Sequence, residues 1–85
     1  MDYTGSTANI DIQIAVLTEA IENNPKDDVL YVERGKLYHQ KGEFHKALND
    51  FTSAAAINPQ NKEADSYIEI IQEIFAYRYK DLYNP

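Results

Sequence analysis

The residues best suited to chemistry are two histidines and the charged groups around them. His39 and His45 stand six apart. A helical metal pair needs its ligands at i and i+4 on one face, so this spacing does not build one. Glu33 and Glu43 lie near the histidines in sequence, yet no closed set of ligands forms. The chain has no cysteine, which removes disulfides, thiolate sites and cysteine nucleophiles. It has no glycine-rich phosphate loop, and none of its serines sits in a nucleophile motif. The expectation is a protein that is not an enzyme, with no metal, no cofactor and both histidines at the surface. Four short helices also offer little concavity from which to exclude water around a substrate.

Charge narrows the partners. The formal net charge is −6, which opposes nucleic-acid binding, because that binding needs Lys and Arg to neutralise phosphates. The charge is uneven. Between positions 34 and 46 the chain carries Arg34, Lys36, Lys41 and Lys46 with His39 and His45, against Glu43 alone. Such a segment either attracts an acidic partner or is an ordinary solvated helix face. No apolar run approaches the roughly 20 residues that span a bilayer. Residues 1–8 are polar and acidic, unlike a secretory signal, and the expected location is cytoplasmic.

The elements that must position these groups show themselves by repetition. The apolar run ending at Ile21 stops at Asn24-Pro25, and thirty-four residues later a second run stops at Asn58-Pro59. At that offset Ile10 falls on Phe44, Ile14 on Leu48, Leu17 on Phe51, Ala20 on Ala54 and Ile21 on Ala55. A fixed offset of this size marks a stacked-repeat protein. The spacing predicts an all-α fold of four helices, at about 10–23, 28–40, 43–57 and 62–82. Residues 1–8 are expected to be a flexible segment ahead of one helical domain over 9–85. Proline stops the first and third helices. Asp27 or Asp28 suits the start of the second, and Asn61 the start of the fourth. Gly42 suits the left-handed position after the second. The short loops make neighbours antiparallel.

Residues 28–61 resemble a tetratricopeptide repeat. The aromatic, small and proline positions of that family's pattern hold Tyr31, Gly35, Tyr38, Ala47, Phe51, Ala54 and Pro59. Gly42 and Phe44 also fit. Position 7, usually Leu, is Arg34. Residues 10–25 resemble the second helix of a preceding repeat. The resemblance implies an antiparallel α-α superhelix that binds proteins or peptides. Gly35 costs roughly 1 kcal/mol of helix propensity, which is tolerable where a neighbouring helix needs the space. It is expected to face Ala47 and Phe51.

In such repeats the first helix lines a concave groove. Carried over residue by residue, the lining is Val29, Val32, Lys36, His39 and Gln40, with Glu63, Ser66, Ile70, Glu73 and Ile74 as counterparts on the last helix. Mixed apolar and basic residues suit a peptide with aliphatic and acidic side chains. The subtype that clamps chaperone C-termini needs Lys at position 5 and Asn at position 9. Val32 and Lys36 occupy those places, so that subtype is disfavoured.

The fourth helix departs from the pattern. Asp65, Glu69 and Gln72 stand where an aromatic, a small residue and a tyrosine belong. It reads as a closing helix, with Ala64, Ile68, Ile71, Phe75 and Leu82 facing inward. A second stripe, Tyr67, Ile70, Ile74 and Tyr77, makes it apolar on more than half its circumference. This stripe either wraps into the domain or forms an interface, a homodimer being the alternative to peptide binding. Fewer than the roughly three repeats usually needed for stability adds weight to self-association.

Overall fold

The computed structural model describes the backbone of residues 3–83 and the side chains of residues 9–77. The chain forms α1 (Tyr3–Asn23), α2 (Asp28–Gln40), α3 (Phe44–Ile57) and α4 (Lys62–Tyr83). Each helix packs on the next in sequence, and α2 against α3 is the most extensive contact. Among the described residues there is no strand, and no helix is long and apolar enough to cross a membrane.

Three helix boundaries fall close to expectation because local chemistry fixes them. The Asp27 carboxylate accepts the Val29 N–H at 3.1 Å, capping α2. After Gln40 the chain turns through Gly42, whose φ is 81°. The Glu43 N–H donates to the Tyr38 carbonyl at 2.9 Å and the Gly42 N–H to the His39 carbonyl at 3.0 Å. These two bonds are the Schellman pattern, which satisfies carbonyls that a helix end leaves open. Asn61 caps α4, its side-chain oxygen accepting the Ala64 N–H at 3.0 Å.

The start of α1 differs. The helix begins at Tyr3, not near Ile10. The apolar stripe begins at Ile10, but no proline lies upstream to stop a helix from propagating past it. Residues 3–8 therefore continue α1 along the backbone.

The core is Val32, Ala47, Phe51, Ala54, Ala64 and Ile71. Gly35 is buried against α3, and a Cβ built on it would stand 2.8 Å from the Phe51 ring. That distance is below any real Cβ contact, so glycine here is a packing requirement. Tyr67 then stacks on the other side of the core, 4.6 Å from Phe51 between ring centroids and nearly parallel. Burying a side chain the size of Phe51 contributes about 1.5–3 kcal/mol. Of the expected inward stripe of α4, Ala64 and Ile71 are fully buried, and Ile68 and Phe75 are half-buried. Leu82 lies outside the described side chains.

Candidate protein-binding surface

The face of α2 next to α4 is held by polar and aromatic contacts. The Lys36 ammonium donates to Glu63 at 3.0 Å and lies 3.6 Å from Glu33. The His39 ring meets Tyr67 edge-on at 5.5 Å and Phe44 edge-on at 5.2 Å. Glu63 holds the Lys36 amine above its ordinary pKa by accepting that hydrogen bond.

These contacts sort the expected groove residues into two groups. Val29 is 55% exposed, Gln40 is exposed and Lys36 is half-buried. On α4, Glu63, Ser66, Ile70 and Glu73 are exposed, Ile70 by 46%, and Ile74 is half-buried. Val32 is a correction. It is 2% exposed and clusters with Ala64 and Ile71, because α4 lies over that part of α2. It belongs to the core and cannot touch a ligand.

His39 is a second correction. It is half-buried, not at the surface, with its Nδ1 shielded from solvent and without a hydrogen-bond partner. The neighbouring Phe44 and Tyr67 rings enclose it. His45 is exposed and stacks on Phe75 at 4.7 Å.

The second stripe of α4 also divides. Tyr67 is committed to Phe51, whereas Ile70 and Tyr77 are exposed and Ile74 lies between. A helix has one circumference, and the core takes the side that carries Tyr67 and Ile71.

The basic segment is largely neutralised within the chain. Arg34 makes a two-pronged pair with Asp50, both bonds 2.8 Å. Lys41 reaches Asp11 at 2.7 Å and Glu43 at 3.4 Å, and Lys46 reaches Glu43 at 3.4 Å. Of these pairs Arg34–Asp50 is the buried one, with Asp50 only 1% exposed. Arg34 also donates to the Thr18 hydroxyl at 3.1 Å, and Thr18 donates to the Ile14 carbonyl at 2.8 Å. One guanidinium thereby ties α1, α2 and α3 together.

Sequence reasoning missed Asp50. The signal was there, for Asp50 shares a helical face with Ala47, Phe51 and Ala54 at spacings of three and four. A carboxylate on a buried stripe requires a partner. The second missed tie is at the Asn-Pro punctuation. The Asn58 and Asn61 amides both donate to Asp28, at 3.1 and 2.7 Å. The stop after α3 thus anchors the start of α2. These two bonds, that of Asn61 foremost, hold the Asp28 carboxyl below its ordinary range.

Among the described residues no group of three or more His, Cys, Asp or Glu is placed to hold a metal. Residues 29–61 match the family model for the tetratricopeptide repeat. No solved structure matches the chain significantly.

Proposed function

We propose that this chain binds a peptide segment of another protein across α2 and α4, because residues 29–61 match the tetratricopeptide-repeat model and domains of that family are generally non-enzymatic protein-interaction modules. The observation that supports this reading is a pair of exposed aliphatic side chains, Val29 and Ile70, on the two helices bridged by Lys36–Glu63. Gln40, Ser66 and Glu73 supply exposed polar groups around them. The segment bound carries aliphatic side chains for Val29 and Ile70. It also carries a carboxylate that exchanges with Glu63 for Lys36. That exchange is cheap, since an exposed ion pair is worth about 0–1 kcal/mol. The module serves as a scaffold element, and the cytoplasm is its proposed compartment.

Selection from a random peptide display library tests this. The wild-type chain enriches peptides that the variant carrying both Val29→Asp and Ile70→Asp does not hold. Equal enrichment by both proteins rejects the assignment. Both positions are exposed, so the variant keeps the fold, which circular dichroism checks.

The exposed Tyr77 and Ile70 favour a second reading, self-association through α4 with Ile74 at its edge. Sedimentation over a range of concentrations separates the two. A chain that stays monomeric to high micromolar concentration has no such dimer.

A further inference from the structure

The 34-residue offset turns the α2–α3 seam into a template for α1. On α3 the positions that hold α2 are Lys46, Ala47, Asp50, Phe51 and Ala54. Lys46 lies 5.6 Å over the Tyr38 ring, Asp50 binds Arg34, and Phe51 faces Gly35. The matching positions on α1 are Ile12, Gln13, Val16, Leu17 and Ala20. Four of these five line a groove of ≈ 360 Å³ between α1 and α2, together with Glu33, Lys36, Leu37 and Gln40. Ile12 is 60% exposed and Val16 is 61% exposed. The face that α3 uses to hold a helix is therefore repeated on α1 with no helix of the described chain on it.

The second wall of the groove repeats the other half of the template. Glu33, Lys36, Leu37 and Gln40 sit 34 residues before Tyr67, Ile70, Ile71 and Ile74. On α4 that set includes Ile71, buried in the core, and Tyr67, which meets His39. So α2 stands to the groove as α4 stands to α2. The groove continues the chain's own helix-to-helix interface by one step.

We propose that this groove seats an amphipathic helix of a partner protein, docked on α1 as α2 docks on α3, with an apolar inner face and basic flanks. Three differences from the template define that helix. Val16 replaces Asp50, so the position of Arg34 must be apolar, since a guanidinium there would have no carboxylate. Leu17 is smaller than Phe51, which relaxes the demand for glycine. His39 meets Tyr67 in the template, but its counterpart meets Glu33, which Lys36 approaches only to 3.6 Å while bonding Glu63 at 3.0 Å, so a Lys or Arg there completes the pairing.

The charge of α1 points the same way. It carries Asp11, Glu19 and Glu22 and no base, and with Asp11 paired to Lys41 the acids left over are Glu19 and Glu22. Glu19 is exposed and stands about one turn beyond Val16 along α1. A second copy of the chain is the poorer occupant. The part of α4 that bears its exposed apolar residues holds Glu63, Asp65, Glu69 and Glu73 without a base between positions 63 and 77. Acidic α4 against acidic α1 is repulsive. The seat shares Lys36 and Gln40 with the proposed peptide surface, but Ile12, Val16 and Leu17 belong to it alone.

The test uses two labelled peptides with the sequence of residues 28–40, both carrying His39→Lys. The first also carries Arg34→Leu, and the second keeps Arg34. Fluorescence anisotropy against the wild-type chain is expected to favour the first peptide by about tenfold, the cost of burying an unpaired charge. The chain carrying Val16→Asp is expected to reverse the preference. Val16 is exposed, so this variant keeps its fold, which its melting curve confirms. Raising the salt concentration is expected to weaken binding of the first peptide, because its basic flank meets Glu33. Absence of binding by either peptide, no reversal with Val16→Asp, or no salt effect overturns the proposal. A self-associating chain that Val16→Asp makes monomeric also overturns it, because the occupant is then a second copy.

Discussion

The seam between α2 and α3 and the outer face of α1 are built on the same positions, yet one is closed and the other open. In the seam Phe51 is fully buried against Gly35, and Asp50 holds Arg34. Thirty-four residues earlier, Leu17 is half-buried and Val16 points to solvent. A repeat frame assigns each position a face. It does not supply the neighbour that covers the face. Stability belongs to the positions that are covered, and recognition is proposed for those that are not.

Phe51→Ala breaks the comparison most strongly. It removes the centre of the core and is expected to cost about 3–5 kcal/mol, measured by urea unfolding. Leu17→Ala, at the equivalent position, is expected to cost about 1–2 kcal/mol because its site is only half covered. Equal losses would mean that the two positions are not packed differently. The polar pair follows. Asp50→Ala leaves a guanidinium without its carboxylate at the junction of three helices, a loss of about 3 kcal/mol. Val16→Asp, at the matching exposed place, changes stability by about 0.5 kcal/mol or less.

Gly35→Ala sharpens the seam itself. Alanine improves helix propensity by about 1 kcal/mol, but its Cβ collides with the Phe51 ring. Overpacking costs about 1–3 kcal/mol, so the net change is a small loss. Pairing it with Phe51→Leu, which makes room, recovers part of that loss in a double-mutant cycle.

The smallest effect concerns the Asn-Pro loop. The hydrogen bonds from Asn61 and Asn58 depress the Asp28 pKa below its ordinary 3.8. A depressed carboxyl contributes stability above its unfolded pKa, and that contribution fades as pH falls through the folded value. Asp28→Asn therefore loses stability relative to wild type at neutral pH, and the gap narrows below the ordinary carboxylate range. Urea midpoints at neutral and strongly acidic pH measure both.

Much of this fold was legible because local chemistry fixed it. The prolines, Asp27, Gly42 and Asn61 each act within a few residues, so these helix ends follow from sequence alone. The contact of Gly35 with Phe51 was legible through the repeat frame. Val32 was misplaced for the opposite reason. It lies on the helix expected to line the groove, but its burial depends on how α4 lies over α2, which no local pattern encodes. His39 was drawn inward by Phe44 and Tyr67 in the same way. The ties of Arg34 to Asp50 and of Asn58 to Asp28 join residues 16 and 30 apart, and their geometry appears only when the helices are packed. The start of α1 was missed because a helix can outrun its apolar stripe.

The central proposal is that the exposed residues of α2 and α4 bind a peptide. Its most direct test is amide chemical-shift mapping of the full chain with a peptide enriched in the display selection. The largest shifts are expected on Val29, Lys36, Gln40, Ser66, Ile70 and Glu73, with the core residues Val32 and Phe51 less affected. Shifts centred elsewhere, with Val29 and Ile70 unmoved, would contradict it.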